Sequence, residues 1–216
     1  MKEATFVPPS VPDMNEALGN LELYLHKEDD LPPLIKIALV HAQFETIHPF
    51  LDGNGRMGRL LITFWLCQQK ILSQPLLYIS YYFKKNRQEY YERLMVVRKT
   101  GDWEQWIKFF LRGIAETSEE AISTAKEILS LKKDCENLIV KSNNNYRQLL
   151  DFLFRSPVID KQEVAEKLNV SQPTANRIVD QFCNIGILVD QKPERKRYKR
   201  YSFKKYLEIL SRGTEL

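Results

Sequence analysis

The chain has 216 residues, with 32 Lys and Arg against 28 Asp and Glu and a formal net charge of +4. Apolar residues make up 44% and charged residues 28%, a soluble globular composition sufficient for one or two domains. The longest apolar runs, such as 60–67, fall far short of the roughly 20 residues of a membrane span, and the N-terminal MKEATFVPPSVPD lacks the apolar core of a signal peptide.

Residues 1–13 are expected to be extended, because Pro8, Pro9 and Pro12 resist helix. A helix is expected over about 14–26, with Leu18, Leu21 and Leu25 on one face. KEDDLPP ends it, and Pro32 and Pro33 open a second helix over about 34–47 that is apolar on most sides, hence buried. A glycine-rich loop follows. A third helix starts near Gly55 and runs through RLLITFWLCQQK; others are expected over about 84–100 and 103–131, with a break near Gly113. Asn143, Asn144 and Asn145 read as a linker or helix start. Beyond them come a helix over 146–154 and an extended SPVI. Asp160-x-x-Glu163 then reads as a capping box opening a helix to Leu168, and Ser171 as the N-cap of a helix over 172–185. ILVDQKPERKRYKRYSF closes the chain as two strands around a charged hairpin. That order is a winged helix-turn-helix. The expected architecture is therefore an all-α domain over 1–116, a connecting helix or linker over 117–142, and a winged helix-turn-helix over 143–216. Cys67, Cys135 and Cys183 form neither a C-x-x-C pair nor an even framework, so reduced thiols and a cytoplasmic location are expected.

The chemistry concentrates in IHPFLDGNGRMGRLL, residues 47–61, which holds three of the chain's eight glycines. A loop feeding a helix N-terminus suits an anion, because the first helical amides lack partners and the dipole is positive there. Gly53 and Gly55 allow amides to approach a phosphate without a Cβ in the way, and Asn54 tolerates left-handed backbone. Arg56 and Arg59, three apart on the first turn, can clamp a triphosphate tail. Asp52 would repel phosphates unless Mg²⁺ lay between them, and His48 is a titratable base beside the same cradle. Together they read as phosphoryl or nucleotidyl transfer to an incoming hydroxyl. The bland alternatives are a structural histidine, a solvated arginine face and a fragment of a Ca²⁺ loop, the last lacking the remaining oxygen ligands of an EF-hand.

His48-Pro49-Phe50-Leu51-Asp52-Gly53-Asn54-Gly55-Arg56-Met57-Gly58-Arg59 resembles the full Fic signature, H-x-F-x-[DE]-G-N-G-R-x-x-R, and the similarity extends over about 4–115. The resemblance implies an all-helical core that transfers AMP from ATP to a Ser, Thr or Tyr hydroxyl of a protein. It makes His48 the general base and Asp52 the Mg²⁺ ligand bridging the α- and β-phosphates. Gly53, Asn54 and Gly55 become the anion hole, Arg56 and Arg59 the grip on the outer phosphates, and Phe50 a core anchor for the loop. Tyr90 and Tyr91 resemble the family's nucleoside-contacting pair, with helix packing as the alternative for both, and Thr5, Phe6 and Val7 resemble the flap edge that docks a target segment by strand addition, with a disordered Pro-rich tail as the alternative. Gly55 stands where the kinases of the Doc branch carry lysine. Transfer of UMP or phosphocholine occurs in the same fold and is compatible with the motif. The family's inhibitory Ser/Thr-x-x-x-Glu-Gly/Asn has no match here, since Lys132 stands four residues before Glu136. The chain is thus expected to be N-terminally shortened, with a flap remnant at 4–9 and an open Arg59.

The expected cofactor is Mg²⁺, with ATP as co-substrate. The expected partners are an unknown protein target, the chain itself through self-modification, and a second copy as a homodimer, with no membrane. The alternative is a DNA-binding regulator with a nucleotide-sensing or inactive Fic core. Its contacts would be Gln172, Thr174, Asn176 and Arg177 in a groove and Lys192, Arg195, Lys196, Arg197, Lys199 and Arg200 on phosphates. Eight Lys or Arg among residues 192–205 motivate that reading, in which DNA is the less favoured partner.

Overall fold

The computed structural model describes residues 6–139, 144–194 and 198–212. The chain divides into two compact units, Met1–Ala121 and Ile122–Leu216. Among the described residues no helix is long and apolar enough to cross a membrane.

The first unit is helical. α1 (Val11–His26) starts three residues before the sequence expectation, because Pro12 falls in its first turn, where a missing N–H costs nothing. Ser10 precedes it and donates its hydroxyl to Asp13 Oδ2 at 2.6 Å. α2 (Pro33–Ile47) is the central helix; Ile37, Ala38 and Val40 are fully buried, as its all-round apolar character requires. α3 (Asn54–Gln68) lies against it, burying Ile62, Trp65 and Leu66.

One expected helix over 84–100 is two, α4 (Ile79–Lys85) and α5 (Arg87–Thr100). They part at Asn86, whose side-chain amide turns back onto the Tyr82 carbonyl at 3.0 Å and competes with the helical ladder. The break expected at Gly113 does not occur, and α6 (Trp103–Leu138) runs through it. Gly113 is there for close approach: a Cβ would stand 2.5 Å from the Tyr82 ring. Trp106, Phe109 and Phe110 of α6 fill the core of the first unit, and Trp106 Nε1 donates to the Ala38 carbonyl at 2.9 Å.

The sequence expectation set a connecting helix or linker over 117–142, and the compact units divide within it, after Ala121. Leu131, Cys135 and Ile139 tie the rest of it to the second unit, since they pack into that unit's core. That unit continues with α7 (Asn144–Leu153), β1 (Val158–Ile159), α8 (Lys161–Leu168), α9 (Gln172–Asn184), β2 (Val189–Asp190), β3 (Tyr201–Ser202) and α10 (Lys204–Ser211). The strands form a small antiparallel sheet in the order β1-β3-β2, with Val158 and Val189 both opposite Ser202. The capping box forms: Asp160 accepts from the Glu163 amide at 2.9 Å and Glu163 Oε2 accepts from the Asp160 amide at 2.7 Å. The Ser171 hydroxyl meets Thr174 Oγ1 at 2.9 Å instead of capping a backbone amide. α10 was not anticipated; its Tyr206 packs against the core and its Ile209 is buried. Cys67, Cys135 and Cys183 are free.

Candidate active site

α2 ends because Pro49 cannot continue it. Its cap, His48, takes left-handed backbone at φ 52°, with its amide still donating to the Phe44 carbonyl at 2.9 Å. Left-handed backbone at a non-glycine residue is unfavourable and turns the half-buried His48 away from the helix path. The loop returns through Gly53, whose φ of 84° makes it the N-cap of α3. Its closure is held by Asn54, only 2% exposed. The Asn54 side chain accepts from the Phe50 amide at 2.8 Å and donates to the Phe50 carbonyl at 2.6 Å. Asn54 is therefore the staple of the loop, and any anion contact there must come from its backbone.

Phe50 does not play the core role expected of it. Its ring is 48% exposed and only leans on Phe44, at a centroid distance of 6.5 Å. The hydrogen bonds to its backbone do the anchoring, so its side chain is released to the surface.

The cations stand in the first two turns of α3. Arg56 is exposed and makes a loose ion pair with Asp52 at 3.3 Å, itself almost fully exposed. Arg59 makes no ion pair among the described residues; its Nε donates to Ser80 Oγ at 3.1 Å. Ser80, on α4, was missed from sequence, since a lone serine 21 residues beyond the motif carries no local signal. Gly55 is flanked by Arg59 Nη1 and Glu45 Oε1, which lie 3.0 Å and 3.8 Å from where its Cβ would be. A side chain at 55 would push against the arginine, which is the spatial reason for glycine there.

Beneath the loop lies a polar group that sequence reading also missed. Glu45 is 5% exposed, and its Oε1 has no hydrogen-bond partner among the described residues. Burial raises its pKa, opposed by the charges of His48, Arg59 and Arg98 and by the Tyr90 hydroxyl. His41 is fully buried, stacked on Phe83 and Trp106, with Nε2 2.9 Å from Tyr90 Oη. Burial pushes His41 down to about 4; the Gly58 backbone opposes this partly, without meeting Nδ1 in hydrogen-bond geometry, and Arg59 adds to it. Gly58 makes room for both groups: a Cβ there would stand 2.7 Å from Glu45 Oε1 and 3.2 Å from His41 Nδ1. The FETIHPF sequence hinted at Glu45, but an acid on a helix end ordinarily faces solvent.

Of the two readings of Tyr90, nucleoside contact or packing, its burial fits packing. The residue is 4% exposed, its ring packs 4.7 Å from Phe83, and burial raises its pKa well above the ordinary tyrosine value. Tyr91 is half exposed beside it, with Arg87 5.7 Å from its ring centre. Of the flap residues, Thr5 lies outside the described residues. Phe6 stacks on Arg98 and stands edge-on to the His48 ring, whereas Val7 is exposed.

In the second unit, Arg177 is exposed on α9. Gln172 bonds Asn176 at 3.0 Å and the Lys161 carbonyl at 3.2 Å, and Thr174 is half-buried against Ser171. Lys199 is paired with Asp190 at 2.6 Å and Arg200 with Glu163 at 3.6 Å. Lys192 is exposed; Arg195, Lys196 and Arg197 lie outside the described residues.

Residues 1–66 match the Fic/DOC family. The His48–Arg59 segment lies within that match. Curated relatives include the protein adenylyltransferases Fic of Drosophila grimshawi, 34% identical over 118 residues, and of Culex quinquefasciatus, 32% identical over the same length. Each alignment covers 54% of this chain, and 22% and 21% of those relatives, so the chain spans about a fifth of their length. Among solved structures, a Fic family protein from Desulfovibrio desulfuricans G20 has a similar fold, with a TM-score of 0.55 at 22% identity. The alignment covers 94% of this chain and 58% of that one.

Proposed function

We propose that the Fic/DOC domain is a protein adenylyltransferase that moves AMP from ATP to a protein hydroxyl. The observation that carries this is the joining of a half-buried histidine at the end of α2 to a helix N-terminus bearing Arg59, a cation with no carboxylate within ion-pair distance among the described residues. The names of the curated relatives support AMP over other groups.

In this reading the α3 amides after Gly53 receive the phosphates and Arg56 and Arg59 hold the outer ones. His48 takes the proton from the incoming hydroxyl, whose oxygen bonds to the α-phosphorus while the bond to pyrophosphate breaks. Asp52 suits Mg²⁺: it offers an exposed carboxylate, loosely paired, and that ion is ordinarily held by one or two carboxylates plus substrate phosphates. When bound, the metal would offset phosphate charge; no group of three or more His, Cys, Asp or Glu among the described residues forms a metal site by itself.

The test is incubation with α-labelled ATP and Mg²⁺, following label on the chain or on added protein. Wild type should label and His48→Ala should fall about 10²–10⁴-fold while still binding ATP. Equal labelling by the mutant would refute the assignment. Calorimetry with and without Mg²⁺ tests Asp52, whose alanine variant should lose the metal dependence of ATP binding.

The second unit we read as a winged helix-turn-helix, on the strength of its α7-β1-α8-α9-β2-β3 order and the exposure of Arg177 on α9. DNA binding is the weaker reading for it, because Lys199 and Arg200 already have carboxylate partners. Salt-sensitive retardation of duplex DNA would favour that role.

A further inference from the structure

Pro49 leaves a gap in the hydrogen bonding of α2. In a continuing helix the Glu45 carbonyl would accept from residue 49, and proline has no N–H. Arg98, from α5, fills that gap: its Nη2 donates to the Glu45 carbonyl at 2.7 Å. Its Nε donates to Thr46 Oγ1 at 3.0 Å, and that hydroxyl in turn donates to the Ala42 carbonyl at 2.8 Å. The same guanidinium lies flat enough over Phe6 to place its central carbon 3.9 Å from the ring centre, a close cation–π contact. Phe6 in turn stands edge-on to the His48 imidazole, with centroids 6.5 Å apart and planes at 71°. Burial lowers the pKa of Arg98, and Glu45 and Tyr90 oppose that. One side chain therefore joins α5, the last turn before His48 and the segment ahead of α1.

We propose that Arg98 is a positioning residue for His48. It supplies the donor that Pro49 cannot, and it clamps Phe6 against the imidazole, so that the ring is held in one orientation at the left-handed cap of α2. The inference rests on the reading of His48 as the base. It also gives Phe6 a role distinct from target docking: the residue buttresses the base from within the domain.

Arg98→Lys keeps the charge and loses both the two-pronged grip and the planar stack. The full-length chain is compared with this variant, with Phe6→Leu and with the double variant, following the His48 imidazole signals by NMR and AMP transfer by steady-state kinetics. The Arg98 guanidinium reaches Glu45, Thr46 and Phe6, and it is Phe6 that meets the His48 ring, so a helix cap of purely structural role would leave those signals in place. The expected result is movement of the His48 signals and a fall in kcat of about ten- to a hundredfold, with the KM for ATP unchanged. Adding Arg98→Lys to Phe6→Leu should move the signals little further, because Phe6 carries the coupling. Unmoved signals overturn the proposal, as does a wild-type kcat for Arg98→Lys in a chain whose His48→Ala form is inactive. Failure of the underlying reading looks different: His48→Ala would keep transfer while Arg98→Lys still shifted the His48 signals. Should Arg98→Lys not fold, the kcat of Phe6→Leu decides in its place, with loss at constant KM supporting the clamp and no loss overturning it.

Discussion

The arginines of the His48–Arg59 segment and the basic residues of the 192–205 hairpin use the same chemistry in opposite settings. In the hairpin, Lys199 lies 2.6 Å from Asp190 and Arg200 3.6 Å from Glu163, so these charges are locally answered. In the first segment Arg59 makes no ion pair among the described residues and donates to a serine hydroxyl, and Arg56 has a loose exposed carboxylate. Arg56 also stands in the first turn of α3, among amides that have no helical acceptor, and Arg59 in the turn after it. What separates a binding cradle from a charge run here is neither the number nor the sign of the charges. It is whether the fold leaves them unanswered and points them, with the helix dipole, at one place.

The sharpest way to break that comparison is to remove one cation from each region. Arg59→Ala should cost about 10²–10³-fold in AMP transfer, as expected for a lost group that stabilises developing phosphate charge. Lys199→Ala combined with Arg200→Ala should leave transfer unchanged. Equal losses in the two variants, measured with labelled ATP, would erase the distinction.

The next effect is on stability, beneath the cradle. His41 is held down to about 4 against an ordinary 6.5. Between those values the unfolded chain binds a proton that the folded chain refuses, so stability falls as pH drops through that window, by about 3 kcal/mol if His41 acts alone. Glu45 works in the opposite sense: its raised pKa favours the folded state below the ordinary carboxylate value, and that contribution is lost as pH rises through the raised value. His41→Gln should therefore flatten the acid side of a plot of urea-unfolding free energy against pH. An unchanged slope would mean that His41 does not titrate as its burial implies.

Gly58→Ala comes next. The new methyl would meet Glu45 Oε1 at 2.7 Å in a site closed by the stacked His41, an overpacking worth about 1–3 kcal/mol. Thermal unfolding of the variant checks this, and a wild-type midpoint would mean that the buried acid moves freely. The smallest expected effect is at Ser80. Its alanine variant removes the acceptor for Arg59 Nε, which should weaken ATP binding by about 1 kcal/mol, roughly fivefold, in a calorimetric titration. No change would show that Arg59 holds its pose without α4.

Residues 48–59 were legible because their geometry is local. Histidine, carboxylate, glycines and arginines sit within one loop and the first two helical turns, and backbone rules alone bring them together. The capping box at Asp160 and Glu163 was legible for the same reason. What spacing did not express was side-chain direction. Tyr90 lies in an amphipathic helix where burial and exposure differ by one position, and packing against His41 and Phe83 turned it inward while Tyr91 stayed half exposed. Phe50 was expected inside as an aromatic in the motif; the Asn54 amide took over the anchoring through the backbone and left the ring outside.

The sequence by itself determined the order of α1, α2 and α3, the end of α2 at Pro49, the glycines that admit a tight return into α3, and the residue types of the motif. Each follows from interactions between residues a few positions apart, which spacing and residue type already express. Only the tertiary structure decided which distant groups complete the site. Ser80 reaches Arg59 from 21 residues away, and Arg98 closes the end of α2 from 53 residues beyond Glu45. The last turn of α2 proclaims its orphan carbonyl in the sequence, through Pro49, but the donor that answers it could have come from any helix packed nearby. Which one it is depends on how the helices pack, and packing is a property of the whole core.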